Sequence, residues 1–236
     1  NGFRKHRSIH DALSSLIMTM EDAKLHNNDI YVMYADFKGA FNAADHRIMF
    51  KHMRQLGMPP TFLDTCEHLY GVSTTEYITP HGPTPSININ RGTLQGDTLS
   101  PFLFTLFLEP FLRWLTVGSR GYRPGPPATN VDPTEPTATY PGHGFADDLS
   151  LATGSTPNLT NQLMKPALCS ASTGMTVNIR KCCITGALWR TCNALTLANT
   201  TLLASRLQTQ FISLNSTPAP IPSIGPKDTY RVLGVE

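Results

Sequence analysis

The sequence predicts an α+β fold, and three observations carry that prediction. Helix-period stretches and strand-like runs follow one another without strict βαβ repetition. Hydrophobic residues make up 40% and charged residues 15% of the chain, a composition suited to filling a core. At 236 residues the chain can form one large domain or two small ones.

The elements read in order as follows. "SIHDALSSLIMTMEDAKLH" (8–26) has Ser8 as N-cap, Asp11 three residues on, and apolar positions 9, 13, 16, 17 and 20, which is helical spacing. "IYVMYADF" (30–37) is β-branched, aromatic and nearly continuous in apolar character, as a buried strand is, and it ends at Asp36. "DHRIMFKHMRQL" is a second helix stopping at Gly57 before Pro59 and Pro60, and a short helix follows near 61–70. "TEYIT" and "SININ" flank the turn "PHGPTP" as a hairpin.

After the loop "RGTLQGD" comes the apolar run 99–115. It is shorter than the ~20 residues a membrane span needs, and it carries Glu109, Pro110 and Arg113, so it reads as a buried core helix. Residues 118–142 hold six prolines and four glycines, an irregular and mobile surface excursion with no domain of its own. A strand pair near 143–152 follows. Then come a helix near 158–172 with Pro166 inside it and Gly174 ending it, and "MTVNIRKC" as a strand. Residues 185–226 give weak strand signals and no recognisable chemistry, and "TYRVLGVE" closes as a strand.

Composition narrows the function classes. A formal net charge of +2 does not announce a polyanion partner, so any such partner rests on local clusters. Arg4, Lys5 and Arg7 form one, and Arg47, Lys51 and Arg54 another; each suits a phosphate backbone or a solvated face equally. Cysteines 66, 169, 182, 183 and 192 lack a C-x-x-C pair or zinc-finger histidine spacing, and read as reduced thiols of an intracellular protein without structural zinc. The chain opens "NGFRKHRS" without a methionine and is expected to be a piece of a longer one, so its lack of a targeting signal says little.

The chemistry lies in Asp36, Asp147 and Asp148. A lone aspartate at a strand end is usually a turn former. Two strands far apart in sequence, however, each deliver acid to apolar surroundings here. Crowded carboxylates resist ionising unless a cation compensates them. Hard oxygen ligands suit Mg²⁺, and two such ions roughly 3.5–4 Å apart serve in-line phosphoryl transfer. The residues alone therefore give a candidate Mg²⁺ site without naming a nucleophile.

"YADFKGAFNAADH" (34–46), "RGTLQGDTLSPFLF" (91–104), "FADDLSL" (145–151), "GMTVNIRKC" (174–182) and "YRVLGVE" (230–236) resemble, in order and wording, motifs A to E of reverse transcriptases. The wording is most similar to non-LTR (LINE-type) retrotransposons, and "GFRKHRSIHDAL" (2–13) resembles the segment preceding motif A.

The resemblance implies a right-hand palm: an antiparallel sheet backed by helices, with partial fingers and no thumb. Residues 1–29 would be partial fingers, 30–43 palm with motif A, 44–92 a fingers portion, and 93–236 palm with motifs B to E. It implies Asp36, Asp147 and Asp148, with the main-chain carbonyl of Phe37, as ligands of two Mg²⁺, with Mn²⁺ as a substitute. Phe41 would be the steric gate that leaves no room for a 2′-hydroxyl. Gln95 and Gly96 would meet the templating pair and incoming nucleotide, and Gly92 would allow close backbone approach. Ser100 and Pro101 would start the supporting helix. Lys181 would assist the leaving pyrophosphate. Tyr230, Leu233 and Gly234 would contact the primer, and Arg4 and Arg7 nucleic acid.

Taken singly, Phe41 is also an ordinary core residue, "QGD" a turn and Lys181 a solvated lysine. Thr98 stands where many family members have proline. The implied partners are an RNA template, a DNA primer and dNTPs, with no membrane and a nuclear location; protein partners and oligomeric state are left open. A catalytically inert or domesticated nucleic-acid-binding remnant is the alternative from another class. An RNA-dependent RNA polymerase is the alternative within the same class, with Phe41 and "FADD" against it.

Overall fold

Ser8 opens the first helix as its sequence predicts. Its hydroxyl accepts the Asp11 N–H while the Asp11 carboxylate accepts the Ser8 N–H, satisfying donors that a helix start leaves bare. The computed structural model describes residues 6–94, 96–116, 121–127, 138–192, 211–214 and 217–222. Helix α1 (Ile9–Leu25) buries Ala12, Leu16, Thr19 and Ala23. The inner stripe thus differs from the expected one: Leu16 is shared, but Ile17 and Met20 face solvent. Ala23 explains part of the rotation, because its small side chain lets the helix settle closely on Ile30, Val32 and Ala152 of the sheet.

Strand β1 (Asp29–Ala35) leads into a single turn of helix, α2 (Ala40–Ala43), then α3 (His46–Gln55) and α4 (Pro60–Gly71). Asp45 caps α3, accepting the Arg47 and Ile48 N–H groups. The predicted hairpin is present as two short ladders, β2 (Thr74–Thr75) with β5 (Ile87–Asn88) and, inside it, β3 (Ile78–Thr79) with β4 (Gly82–Pro83). Helix α5 (Ser100–Thr116) keeps Pro110 inside it, and among the described residues no helix is long and apolar enough to cross a membrane. Strands β6 (Gly142–Phe145) and β7 (Asp148–Thr153) precede α6 (Thr156–Thr173), which Gly174 ends in the left-handed conformation. Strand β8 (Cys183–Leu188), helix α7 (Trp189–Cys192) and the pair β9 (Phe211–Leu214) and β10 (Thr217–Pro220) complete the description.

The central sheet is antiparallel with order β6-β7-β1-β8. Strand alternation sorts β1 between two cores. Tyr31, Met33 and Ala35 join the larger one with Met49 and Met53 of α3, Phe104 and Phe107 of α5, and Leu159 and Leu163 of α6. Ile30 and Val32 meet Leu16 and Ala23 of α1 on the other face. This is the helix-backed antiparallel sheet that the motif resemblance implies.

Two segments differ from what their sequences predict. "MTVNIRKC" is not a strand. Its backbone makes one bridge, Val177 to Phe37, and then winds into a 3₁₀ turn over Ile179–Lys181, because the N–H groups of Lys181 and Cys182 both return to the Asn178 carbonyl. The strand starts at Cys183 instead. The excursion at 118–142 is not a surface feature at its base. Tyr122 is 1% exposed, pairs with Tyr140, and donates its hydroxyl hydrogen to Asp22 Oδ2 at 2.7 Å. Asp22 also accepts the Gly125 N–H, which ties the segment to the end of α1. Cys66, Cys169, Cys182 and Cys183 are buried free thiols, as expected.

Candidate active site

The carboxylates gather at one end of the sheet. Asp36 follows directly on β1, and the β6–β7 hairpin delivers the other two. Phe145 pairs with Asp148, so Ala146 and Asp147 alone form the hairpin loop. Tight two-residue loops need positive φ, normally supplied by glycine or asparagine. Ala146 takes φ 53 without that help, at a cost of about 1–2 kcal/mol. One residue before the closing pair, a Cβ on Gly144 would stand 2.8 Å from Leu112 Cδ2, so a larger residue there would make the Leu112 side chain shift.

The acids feel one another. Burial pushes the Asp148 carboxyl up to about 6, with the charges of Asp147 and Asp36 adding to it and Lys181 opposing. Asp147 is raised in the same way, by burial first and then by Asp36, again against Lys181. Asp36 is held differently: its Oδ2 accepts the Asn178 side-chain N–H at 3.0 Å and lies 3.9 Å from Lys181 Nζ.

Phe37 is buried and bridges to Val177. The hydrogen bonds flanking that bridge run from Lys38 N to Thr176 O and from Asn178 N to Asp36 O, both at 2.8 Å. Phe37 is therefore a non-hydrogen-bonded pair member, and its own carbonyl points away from residues 176–178. Among the described residues no three His, Cys, Asp or Glu side chains are closed into a coordination cage. The donor chemistry nonetheless fits a hard divalent cation: carboxylate oxygens, partly desolvated, whose mutual repulsion a cation would relieve.

Repulsion makes a prediction that needs no activity. A carboxyl raised in the folded state contributes stability that is complete below its ordinary value near 4 and lost as pH rises through about 6. Asp148→Asn stays neutral at every pH. In EDTA it is expected to melt above the wild type at pH 7.5 and level with it at pH 4. Equal melting at both values would mean that Asp148 carries no such burden.

Phe41 and the loop after motif A are locked together. Phe41, half-buried on α2, stacks on Phe104 with centroids 4.1 Å apart and 20° between planes. Its carbonyl accepts the Thr93 N–H at 2.9 Å, and the Ala44 carbonyl accepts the Gly92 N–H at 2.8 Å. The buried His46 donates from Nε2 to the Gly92 carbonyl at 2.7 Å, which fixes its tautomer. Gly92 itself has φ 86, and a Cβ there would lie 3.0 Å from the Asn42 Cα and carbonyl oxygen. Gly92→Ala is expected to cost about 2–4 kcal/mol from backbone strain and collision together. Denaturant unfolding checks this, and a wild-type midpoint would refute the packing described.

The remaining predicted residues divide clearly. Ser100 begins α5, its hydroxyl donating to the Leu94 carbonyl at 2.6 Å, with Pro101 next. Gly96 is exposed with φ 83. Arg7 is exposed, while Arg47 pairs with Asp45 and Arg54 with Glu67. Arg4, Gln95, Tyr230, Leu233 and Gly234 lie outside the described residues. Sequence reading missed Asn178, His46 and Phe104. Their only sequence signals are an asparagine three residues before Lys181, a histidine after the Asp45 cap, and one phenylalanine among several on an apolar helix.

A helix-backed antiparallel sheet with three acids at one end defines a class, the polymerase palm. The family described as "Reverse transcriptase (RNA-dependent DNA polymerase)" matches residues 1–236, and the chain belongs to it. It is 25% identical over 234 residues to the "Retrovirus-related Pol polyprotein from type-2 retrotransposable element R2DM" of Drosophila melanogaster, covering 99% of this chain and 20% of that polyprotein. It is 28% identical over 151 residues to the corresponding polyprotein of a type-1 retrotransposable element R2 of Popillia japonica, covering 64% of this chain and 23% of the relative. These relatives belong to non-LTR retrotransposons, and the chain spans about a fifth of their length.

Among solved structures it is similar to telomerase from Candida albicans in complex with a TWJ fragment of telomeric RNA. The TM-score is 0.57 at 12% identity, over 75% of this chain and 30% of that one. C-terminally truncated apo telomerase from Candida tropicalis gives a TM-score of 0.53 at 12% identity, over 76% and 35%. At such identity the likeness is one of fold.

Proposed function

We propose that the chain is the palm, with parts of the fingers at 1–29 and 44–92, of a retrotransposon's RNA-directed DNA polymerase. The reaction would be attack of a DNA primer 3′-hydroxyl on the α-phosphate of a dNTP, directed by an RNA template, with pyrophosphate leaving. The observation that carries this reading is the meeting of Asp36 with Asp147 and Asp148 at the open end of the sheet, where burial and the neighbouring acid charges hold the Asp147 and Asp148 carboxyls above their ordinary range.

Asp36, Asp147 and the Phe37 carbonyl would hold two Mg²⁺, with Asp148 beside them. Bound there, the ions would supply the charge stabilisation that in-line phosphoryl transfer needs. The chain's own side chains set up the rest. Phe41, backed by Phe104, bars a 2′-hydroxyl. Lys181, with its side chain 70% exposed beside Asp36, is placed to donate a proton or its charge to the leaving pyrophosphate. Exposed Gly96 lets backbone approach the nucleotide without a Cβ between them. The test is primer extension on an RNA template by the full open reading frame, with dNTPs and rNTPs offered separately. Extension with dNTPs is expected; preference for rNTPs would assign the site to RNA synthesis instead.

A further inference from the structure

Asp36 is gripped from one side. Asn178 reaches it twice, through its side-chain amide to Oδ2 at 3.0 Å and through its main-chain N–H to the Asp36 carbonyl at 2.8 Å. A carboxylate only accepts, so the amide nitrogen must be the atom facing it. Asn178 is itself fixed. The Lys38 N–H bonds to Thr176 just before it, and its own carbonyl accepts the N–H groups of Lys181 at 2.9 Å and Cys182 at 3.1 Å. That turn brings Lys181 Nζ toward the same oxygen, Oδ2. Among the described residues no hydrogen bond reaches Oδ1.

We propose that Asn178 is a positioning residue for the polymerase centre: it pins Oδ2 of Asp36 and leaves Oδ1 for a divalent cation shared with the hairpin acids. The role rests on the metal-dependent reading above. Its chemistry explains the residue type. A neutral amide orients the carboxylate without adding a second positive charge to the one that Lys181 Nζ already brings within 3.9 Å of the same oxygen. Without that amide, among the described residues only the Lys181 ammonium would hold Oδ2 of Asp36 away from the two other acids.

The test compares wild type, Asn178→Ala, Asn178→Asp and Asp147→Asn in the full open reading frame. Mn²⁺ binding is followed by electron paramagnetic resonance, and primer extension by titration with Mg²⁺. The two backbone hydrogen bonds at Asp36 and Lys38 survive any side-chain change, so Asn178→Ala is expected to melt near the wild type. It should bind Mn²⁺ roughly 10-fold more weakly, need correspondingly more Mg²⁺, recover its rate at high Mg²⁺, and keep the wild-type KM for dNTP there. Asn178→Asp, which sets a fourth acid against the cluster, should be weaker still. Wild-type Mn²⁺ binding and Mg²⁺ dependence in Asn178→Ala would overturn the role. So would a rate lost equally at every Mg²⁺ concentration together with a lowered melting temperature. If Asp147→Asn also binds and extends normally, the polymerase reading has failed. If only Asp147→Asn is impaired, the Asn178 role alone has failed.

Discussion

Phe41→Ala is expected to raise ribonucleotide incorporation relative to deoxyribonucleotide incorporation by about 10²-fold, while extension with dNTPs continues. The size of the effect follows from rigidity. A gate excludes a hydroxyl only if the ring cannot swing aside, and Phe41 is braced behind by Phe104, which is fully buried and packed in turn against Phe107. Its backbone is fixed as well, through the Thr93 N–H on its carbonyl. Removing the ring opens space where a 2′-hydroxyl would sit and strips one face of Phe104 of its contact. Stability is therefore expected to fall by about 2 kcal/mol, less than for a fully buried phenylalanine. Single-nucleotide addition on an RNA template, with dNTP and rNTP in competition, gives the ratio directly. An unchanged ratio with a lowered melting temperature would make Phe41 a core residue only.

Asp147→Asn is expected to abolish extension, by at least about 10³-fold, and at the same time to raise the melting temperature in EDTA. The two effects have one cause. The Asp147 carboxyl is half-buried beside Asp36 and is held above its ordinary range, so its negative charge burdens the fold that it serves. Asp36→Asn should abolish extension equally without the gain in stability. Asp36 accepts from Asn178 and faces Lys181, and a carboxamide would weaken both interactions. The double variant should be no slower than either single one, since the acids act as a unit. Melting curves alongside extension assays check all three. A destabilised Asp147→Asn would contradict the electrostatics described here.

Much of this was legible because it is local. Ser8 and Asp11 announce a helix start within four residues, and Gly174 announces a helix end. The apolar runs ending in Asp36 and surrounding Asp147 read as strand ends from their own neighbours. What escaped depends on partners far away in the chain. Met175, Val177 and Ile179 alternate as a strand would, yet the Asn178 carbonyl captures the following N–H groups and turns the chain. Asn178 meets Asp36 across 142 residues, which no window of sequence contains. Tyr122 sits among prolines and glycines and reads as surface; distant partners make it core, the Asp22 carboxylate on its hydroxyl and the apolar side chains of α1 and β1 around its ring. The inner face of α1 departs from the apolar periodicity for a related reason, since small alanines pack where periodicity favours large residues.

The most direct test of the central claim is single-dNTP addition to a primer on an RNA template by the full open reading frame, measured against free Mg²⁺. The account predicts addition that requires Mg²⁺, saturates with it, and disappears in Asp147→Asn at every concentration. Addition without a divalent cation, wild-type rates from Asp147→Asn, or no addition by the intact frame at any Mg²⁺ would contradict it. The last result would favour a nucleic-acid-binding remnant.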